Sequence, residues 1–130
     1  MASIFTKIIN GEIPAYKIAE DENYLAFLDV FPLVVGHTLV IPKKEIDYIF
    51  DLDDQLLAGL HVFSKRVAKA LQKAVPCKRI GVTVIGLEVP HAHVHLVPIS
   101  TMDDMNFSRP KITVSKEVME ETLRKIKAQL

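Results

Sequence analysis

What this 130-residue chain lacks narrows its possible functions first. Its single cysteine, Cys77, has no intrachain partner, so neither a disulfide framework nor Cys-x-x-Cys chemistry is available. Neither sign of charge predominates, because sixteen Lys and Arg balance sixteen Asp and Glu. No whole-molecule field therefore favours nucleic acid or an anionic membrane as a partner, and any anion must be caught by a local site. The longest mostly apolar stretch, residues 30–42, is interrupted by prolines, a glycine and His37 and falls short of the roughly 20 residues of a spanning helix. The amino terminus has no basic segment leading into a long apolar one, so the cytoplasm is the expected compartment. Internal repeats and Gly/Ser/Pro linkers are missing as well, which predicts one domain over residues 1–130.

What is present reads as a mixed fold. Hydrophobic residues make up 49% and charged residues 25% of the chain, an ordinary supply for a packed core. A first turn or short helix is expected over 4–9. Strand-like composition recurs at 15–19, 24–30 and 37–41, then at 79–85 and 93–99. Between the two groups a helix begins near Asp53 or Asp54 and runs to about Ala74, before Pro76. Its stripe is Leu56, Leu60, Phe63, Val67, Ala70 and Ala74, which recurs at helical spacing. Ser115 opens a last helix with Met119, Leu123, Ile126 and Leu130 on its buried face, and 100–114 reads as loop. The predicted class is α+β, a five-stranded mostly antiparallel sheet with two main helices.

The segment Pro90-His91-Ala92-His93-Val94-His95-Leu96-Val97-Pro98 carries three of the five histidines at alternate positions. On a strand, period two puts their imidazoles on one face and Ala92, Val94 and Leu96 on the other. Four readings compete: a solvated polar face, a metal site, a pH switch, and catalysis on phosphate. Neighbouring positions on one face lie about 6.6 Å apart, so His91 and His95 are about 13 Å apart, too far to share one ion, and a metal would need ligands from elsewhere. A neutral imidazole is a competent nucleophile near neutral pH, and flanking imidazoles can donate to phosphoryl oxygens, which fits metal-free phosphate chemistry.

The run His91-Ala92-His93-Val94-His95-Leu96-Val97 resembles the signature of the histidine-triad hydrolases and transferases, His-φ-His-φ-His-φ-φ with φ apolar. Residues 4–14, Ala26-Phe27-Leu28-Asp29 and 36–44 are similar to the family's other characteristic stretches, so the resemblance spans about 3–99. It implies that His93 attacks the α-phosphorus of a purine nucleotide, forming a nucleotidyl-histidine. His95 would contact phosphate oxygens, the His91 carbonyl would set the nucleophile's tautomer, and His37 would support the triad from behind. The purine would lie among Ile4, Phe5, Ile8, Phe27 and Leu39, with Asp29 on the ribose hydroxyls. Without the resemblance, those five apolar residues read as plain core, and His37 equally as a buried histidine satisfied by backbone. Homodimers are implied, and no cofactor. The alternative function is a nucleotide-binding or regulatory protein with little turnover.

Two departures from the family pattern stand out. Some members bind a structural zinc through Cys-x-x-Cys and a later histidine, where this chain has Ser3, Thr6 and Glu45, so no metal is expected. Many members also have an Asn and a Gly-rich loop before the triad, whereas residues 84–90 are shorter here and carry Glu88. That carboxylate either faces the pocket, repelling phosphate, or turns to solvent. Lys43 and Lys44, His61 and Cys77 read as a solvated turn, a surface residue and an inert thiol.

Overall fold

The computed structural model describes residues 2–130. It opens with α1 (Ile4–Ile9), followed by strands β1 (Lys17–Glu20), β2 (Tyr24–Leu28) and β3 (Thr38–Pro42). A long helix, α2 (Asp54–Ala74), precedes β4 (Arg79–Thr83) and β5 (Val94–Ile99), and α3 (Lys116–Lys127) comes last. The strand order is β1-β2-β3-β5-β4, and every neighbouring pair is antiparallel. The α+β class stands, with the sheet antiparallel throughout.

Short polar side chains start all three helices by accepting otherwise unpaired amides. Ser3 accepts from Thr6, Asp53 from Leu56 and Ser115 from Val118. The pleat of the sheet then sorts residues into two layers. Tyr24, Ala26, Leu28, Val40, Ala92, Val94 and Leu96 face one side and pack with α2 and α3. Leu25, Phe27, Leu39 and Ile41 point the other way and meet Phe5 and Ile8 of α1. Both faces of β2 and β3 are covered, which explains why these strands read as continuous apolar runs. Leu60, Phe63, Val67 and Ala70 of the α2 stripe are buried, while Leu56 and Ala74 at its ends are half-buried. Burial of each large side chain is worth roughly 1.5–3 kcal/mol.

Several expectations need correction. β2 ends at Leu28 and not Val30, because Asp29 begins the turn to β3: its amide bonds to the His37 carbonyl at 2.9 Å and its carboxylate takes the Phe31 amide. β4 stops at Thr83 and not residue 85, since Thr83 pairs with His95 and the chain then leaves the ladder. β5 begins at Val94, so His93 lies just before the strand and not within it. α3 ends at Lys127, which leaves Leu130 exposed instead of on the buried face; Thr122 is buried there, its hydroxyl satisfied by the Val118 carbonyl at 2.7 Å. Residues 100–114 are not all loop, since Met102–Met105 form a 3-10 turn capped by Thr101 and Asp104. No helix among the described residues is long and apolar enough to cross a membrane.

Candidate active site

The three alternating histidines lie on the sheet face opposite α2, and they are far from solvated: His91, His93 and His95 are 0%, 5% and 8% exposed. His95 sits between Leu39 of β3 and Thr83 of β4 in the ladder. His37, immediately before β3, is brought beside it by the β3–β5 pairing, with ring centroids 5.2 Å apart.

Backbone groups determine where the imidazole protons lie, because a carbonyl can only accept and an amide can only donate. His93 Nδ1–H donates to the His91 carbonyl at 2.7 Å, which leaves the lone pair on Nε2. The Leu33 amide donates to His37 Nδ1 at 3.0 Å, so His37 carries its proton on Nε2 and donates it to His95 Nδ1 at 2.9 Å. His95 therefore presents an Nε2–H. His91 has both nitrogens consumed: Nε2–H donates to the Pro42 carbonyl, and Nδ1 accepts from the Ser3 hydroxyl, each at 2.8 Å. Ser3 and Thr6 are in turn tied to Glu45, whose Oε1 accepts the Ser3 amide and the Thr6 hydroxyl at 2.6 Å each. Those two bonds hold the Glu45 carboxyl down at about 2.

Burial keeps all four imidazoles neutral. It pulls His37 down to about 4 and His95 to about 3, with neighbouring positive charge adding to both shifts. His91 and His93 are lowered chiefly by burial too, and the bonds to the Pro42 and His91 carbonyls oppose the shift. Asp29 moves the other way, raised by burial against the opposing bond from the Phe31 amide. Its Oδ2 lies 3.8 Å from His37 Nε2, but that nitrogen's one proton points to His95 at shorter range.

An apolar wall stands beside these groups. Phe5 meets Phe27, His93 and His91 edge-on at 5.5, 5.0 and 5.8 Å between centroids, and Ile8, Leu39, Leu25 and Ile41 belong to the same cluster. Ile4 is half exposed and lies outside it. Glu88 is exposed, yet its charge still reaches Asp29 and His93.

Two residues near the site were invisible to sequence reasoning. Phe107 packs edge-on to His95 at 4.9 Å and to His37 at 6.0 Å, and Lys111 Nζ lies 4.9 Å from the centre of the Phe107 ring. Both belong to an irregular segment without periodicity, which offered no signal of its direction. Ser3 and Glu45 were legible only as positions where relatives have zinc ligands, not as partners of His91.

Spacing along one strand also missed that Asp29, His37 and His95 each place a ligand atom within 4.8 Å of the others. Their donor chemistry suits a hydrogen-bonded relay better than a cation. With Leu33 on His37 Nδ1, the nitrogen facing the cluster is protonated, and ligation would require an imidazolate or loss of that bond. Elsewhere, Lys43 pairs with Glu20 at 2.9 Å and, with Lys44, borders a hollow of about 640 Å³ beside Tyr24, Asp53 and Gly59 that no histidine lines. His61 is exposed on α2, and burial pushes the Cys77 thiol up, away from thiolate reactivity.

Comparison with known proteins gives consistent results. The HIT domain family matches residues 10–102. An uncharacterized HIT-like protein of Borreliella burgdorferi is 39% identical over 113 residues, 82% of this chain and 81% of that protein. The adenosine 5′-monophosphoramidase of Saccharomyces cerevisiae is 38% identical over 98 residues, 75% of this chain and 62% of the enzyme. The crystal structure of a Hit-like protein from Bartonella henselae superposes with a TM-score of 0.85 at 34% identity, covering 98% of this chain and 96% of that one.

Proposed function

The chain belongs to the histidine-triad family, and from that premise we propose that it is a nucleotide hydrolase or nucleotidyl transferase. The substrates proposed are purine nucleoside phosphoramidates or dinucleoside polyphosphates, attacked at the α-phosphorus, the phosphoramidase relative from Saccharomyces cerevisiae supporting the first class. The observation that carries this reading is the pair of opposite tautomers at His93 and His95, whose rings are 4.9 Å apart. One Nε2 offers a lone pair and its neighbour offers a hydrogen.

His93 Nε2 forms a bond to phosphorus while the bond to the leaving group breaks, and that group departs with the electron pair, protonated by solvent. His95 Nε2–H donates to a phosphoryl oxygen as charge builds there. The His91 carbonyl steadies the Nδ1–H of His93, which becomes positively charged once its other nitrogen is bonded to phosphorus. Water or another acceptor then attacks phosphorus, loses a proton and frees His93. Phe5, Ile8, Phe27 and Leu39 form one side of the base site, with Ile4 at its rim, and Asp29 takes the ribose hydroxyls. No step calls for a metal or cofactor.

Assaying release of the nucleoside monophosphate from an adenosine phosphoramidate and a diadenosine polyphosphate tests the activity. Acid-quenched labelled substrate should leave nucleotide on the protein. His93→Ala is expected to cut turnover by about three orders of magnitude or more and to lose the trapped species, with mononucleotide affinity kept within about tenfold. Turnover surviving the substitution removes His93 as nucleophile. Glu88 favours the second reading, a nucleotide-binding or regulatory protein: its charge opposes phosphate and bears on His93. Tight nucleotide binding with no trapped intermediate and no release would support it.

We propose a cytoplasmic homodimer as well. β4 is an edge strand and Val82 on it is half exposed, so the sheet could continue into a second copy. Sedimentation of the full chain would test the assembly.

A further inference from the structure

We propose that Lys111, held over the ring of Phe107, is the cation that recognises the substrate's phosphoryl oxygens, and that it distinguishes a phosphorylated nucleoside from the bare nucleoside. This deepens the nucleotide reading above and rests on it.

The need for such a residue follows from the charges in the site. All four imidazoles are kept neutral by burial, and two carboxylates, Asp29 and Glu88, act on His93. A phosphate arriving there meets negative charge and hydrogen-bond donors, but no cation from β5 or β3. Lys111 supplies one: its charge bears on Asp29, His37 and His95.

Geometry holds it in place. Phe107 packs its ring against both His95 and His37, and the Lys111 ammonium lies within cation–π range of that ring. The next residue is fastened to the neck of the site, since the Ile112 amide donates to the Pro32 carbonyl at 3.0 Å, between Asp29 and His37 in sequence. Arg109, the other cation of the segment, is committed elsewhere, bonded to the carbonyl and carboxylate of Asp103 at 2.8 and 3.1 Å. Among the described residues Lys111 forms no salt bridge within 4.0 Å; besides the Phe107 ring, the carboxylate its charge reaches is that of Asp29. An ammonium over the aromatic ring that packs against His95, the one imidazole of the four whose Nε2–H is unbonded, suits the oxygens of a single phosphoryl group.

Calorimetric titration of the full chain with adenosine 5′-monophosphate and with adenosine provides the test. Lys111→Met should bind the monophosphate about tenfold more weakly, a loss of about 1.4 kcal/mol, with adenosine unchanged. Lys111→Arg should restore most of the difference. Raising salt from about 50 to 300 mM should weaken monophosphate binding by the wild type more than by Lys111→Met. Phe107→Leu, which keeps an apolar cover but removes the aromatic face, should lose part of the same preference. If Lys111→Met leaves both affinities unchanged, or lowers them equally, the assignment of Lys111 is overturned while the nucleotide reading survives. If the wild type binds neither compound, the nucleotide reading fails and takes this assignment with it.

Discussion

His91 and His95 flank His93 at equal spacing on one sheet face and are buried almost equally, yet their rings are employed in opposite ways. At the His91 end a polar clasp closes the ring. Pro42 takes one nitrogen, Ser3 the other, and Glu45 braces Ser3 and Thr6 behind them. At the other end His37 takes only Nδ1 of His95, and the aromatic Phe107 lies against the ring without hydrogen-bonding to it. The first arrangement fixes a backbone carbonyl for His93; the second leaves a donor free beside it. In the proposed mechanism, what separates a structural from a reactive histidine is therefore the number of ring nitrogens already satisfied, since burial and spacing are shared.

The difference between the two ends can be broken most severely at His37. His37→Ala removes the donor that fixes the His95 tautomer, allows the proton to settle on Nδ1, and should lower kcat about 100-fold with a much smaller change in KM. Steady-state kinetics check it, and an unchanged kcat would mean that His95 needs no relay. Asp29 stands on the same open end. Asp29→Ala should weaken ribonucleotides by about 1.5–3 kcal/mol and spare 2′,3′-dideoxy analogues, since of the two ligands only the ribonucleotide has a diol to donate to the carboxylate. Equal losses for both ligands would make Asp29 structural.

Ser3→Ala attacks the closed end and should register in stability instead. It removes both the α1 cap and the partner of His91 Nδ1, an expected cost of about 1–2 kcal/mol in urea unfolding, with kcat altered less than threefold. A large kcat loss without destabilisation would show that the clasp acts directly on the chemistry. The smallest effect concerns pH. Burial lowers His93, so its neutral, nucleophilic form persists further into acid than a free imidazole would, and the acid limb of kcat/KM should fall below about pH 6.5. A limb above that value would mean that Glu88 and Asp29 outweigh burial.

Much of this was legible in the chain. Period-two alternation placed the histidines on one face and Ala92, Val94 and Leu96 on the other, and the fold packs the apolar set against α2. Helical spacing found the centre of α2, and Asp53 and Ser115 marked helix starts because a capping side chain is a local signal. Strand ends were less legible, since β2 stops where the Asp29 amide and carboxylate enter the turn, a feature the apolar run through Val30 conceals. Leu130 kept the apolar spacing of α3 beyond the point where the helix itself ends.

The sequence alone determined the sheet face of the triad, the α+β class and the residue types available for phosphate chemistry, because these depend on periodicities of a few residues. Tertiary structure decided which ring nitrogens of these histidines are bonded and which are left free. That depends on the Leu33 amide, the Pro42 and His91 carbonyls and the Ser3 hydroxyl, groups whose meeting is set by strand register and chain crossings. It also brought Phe107 to the site and held Lys111 over that ring, through an irregular segment anchored by a single backbone bond to Pro32. Backbone donors and acceptors are the same at nearly every position in a sequence, so only the fold can tell which of them a side chain will meet.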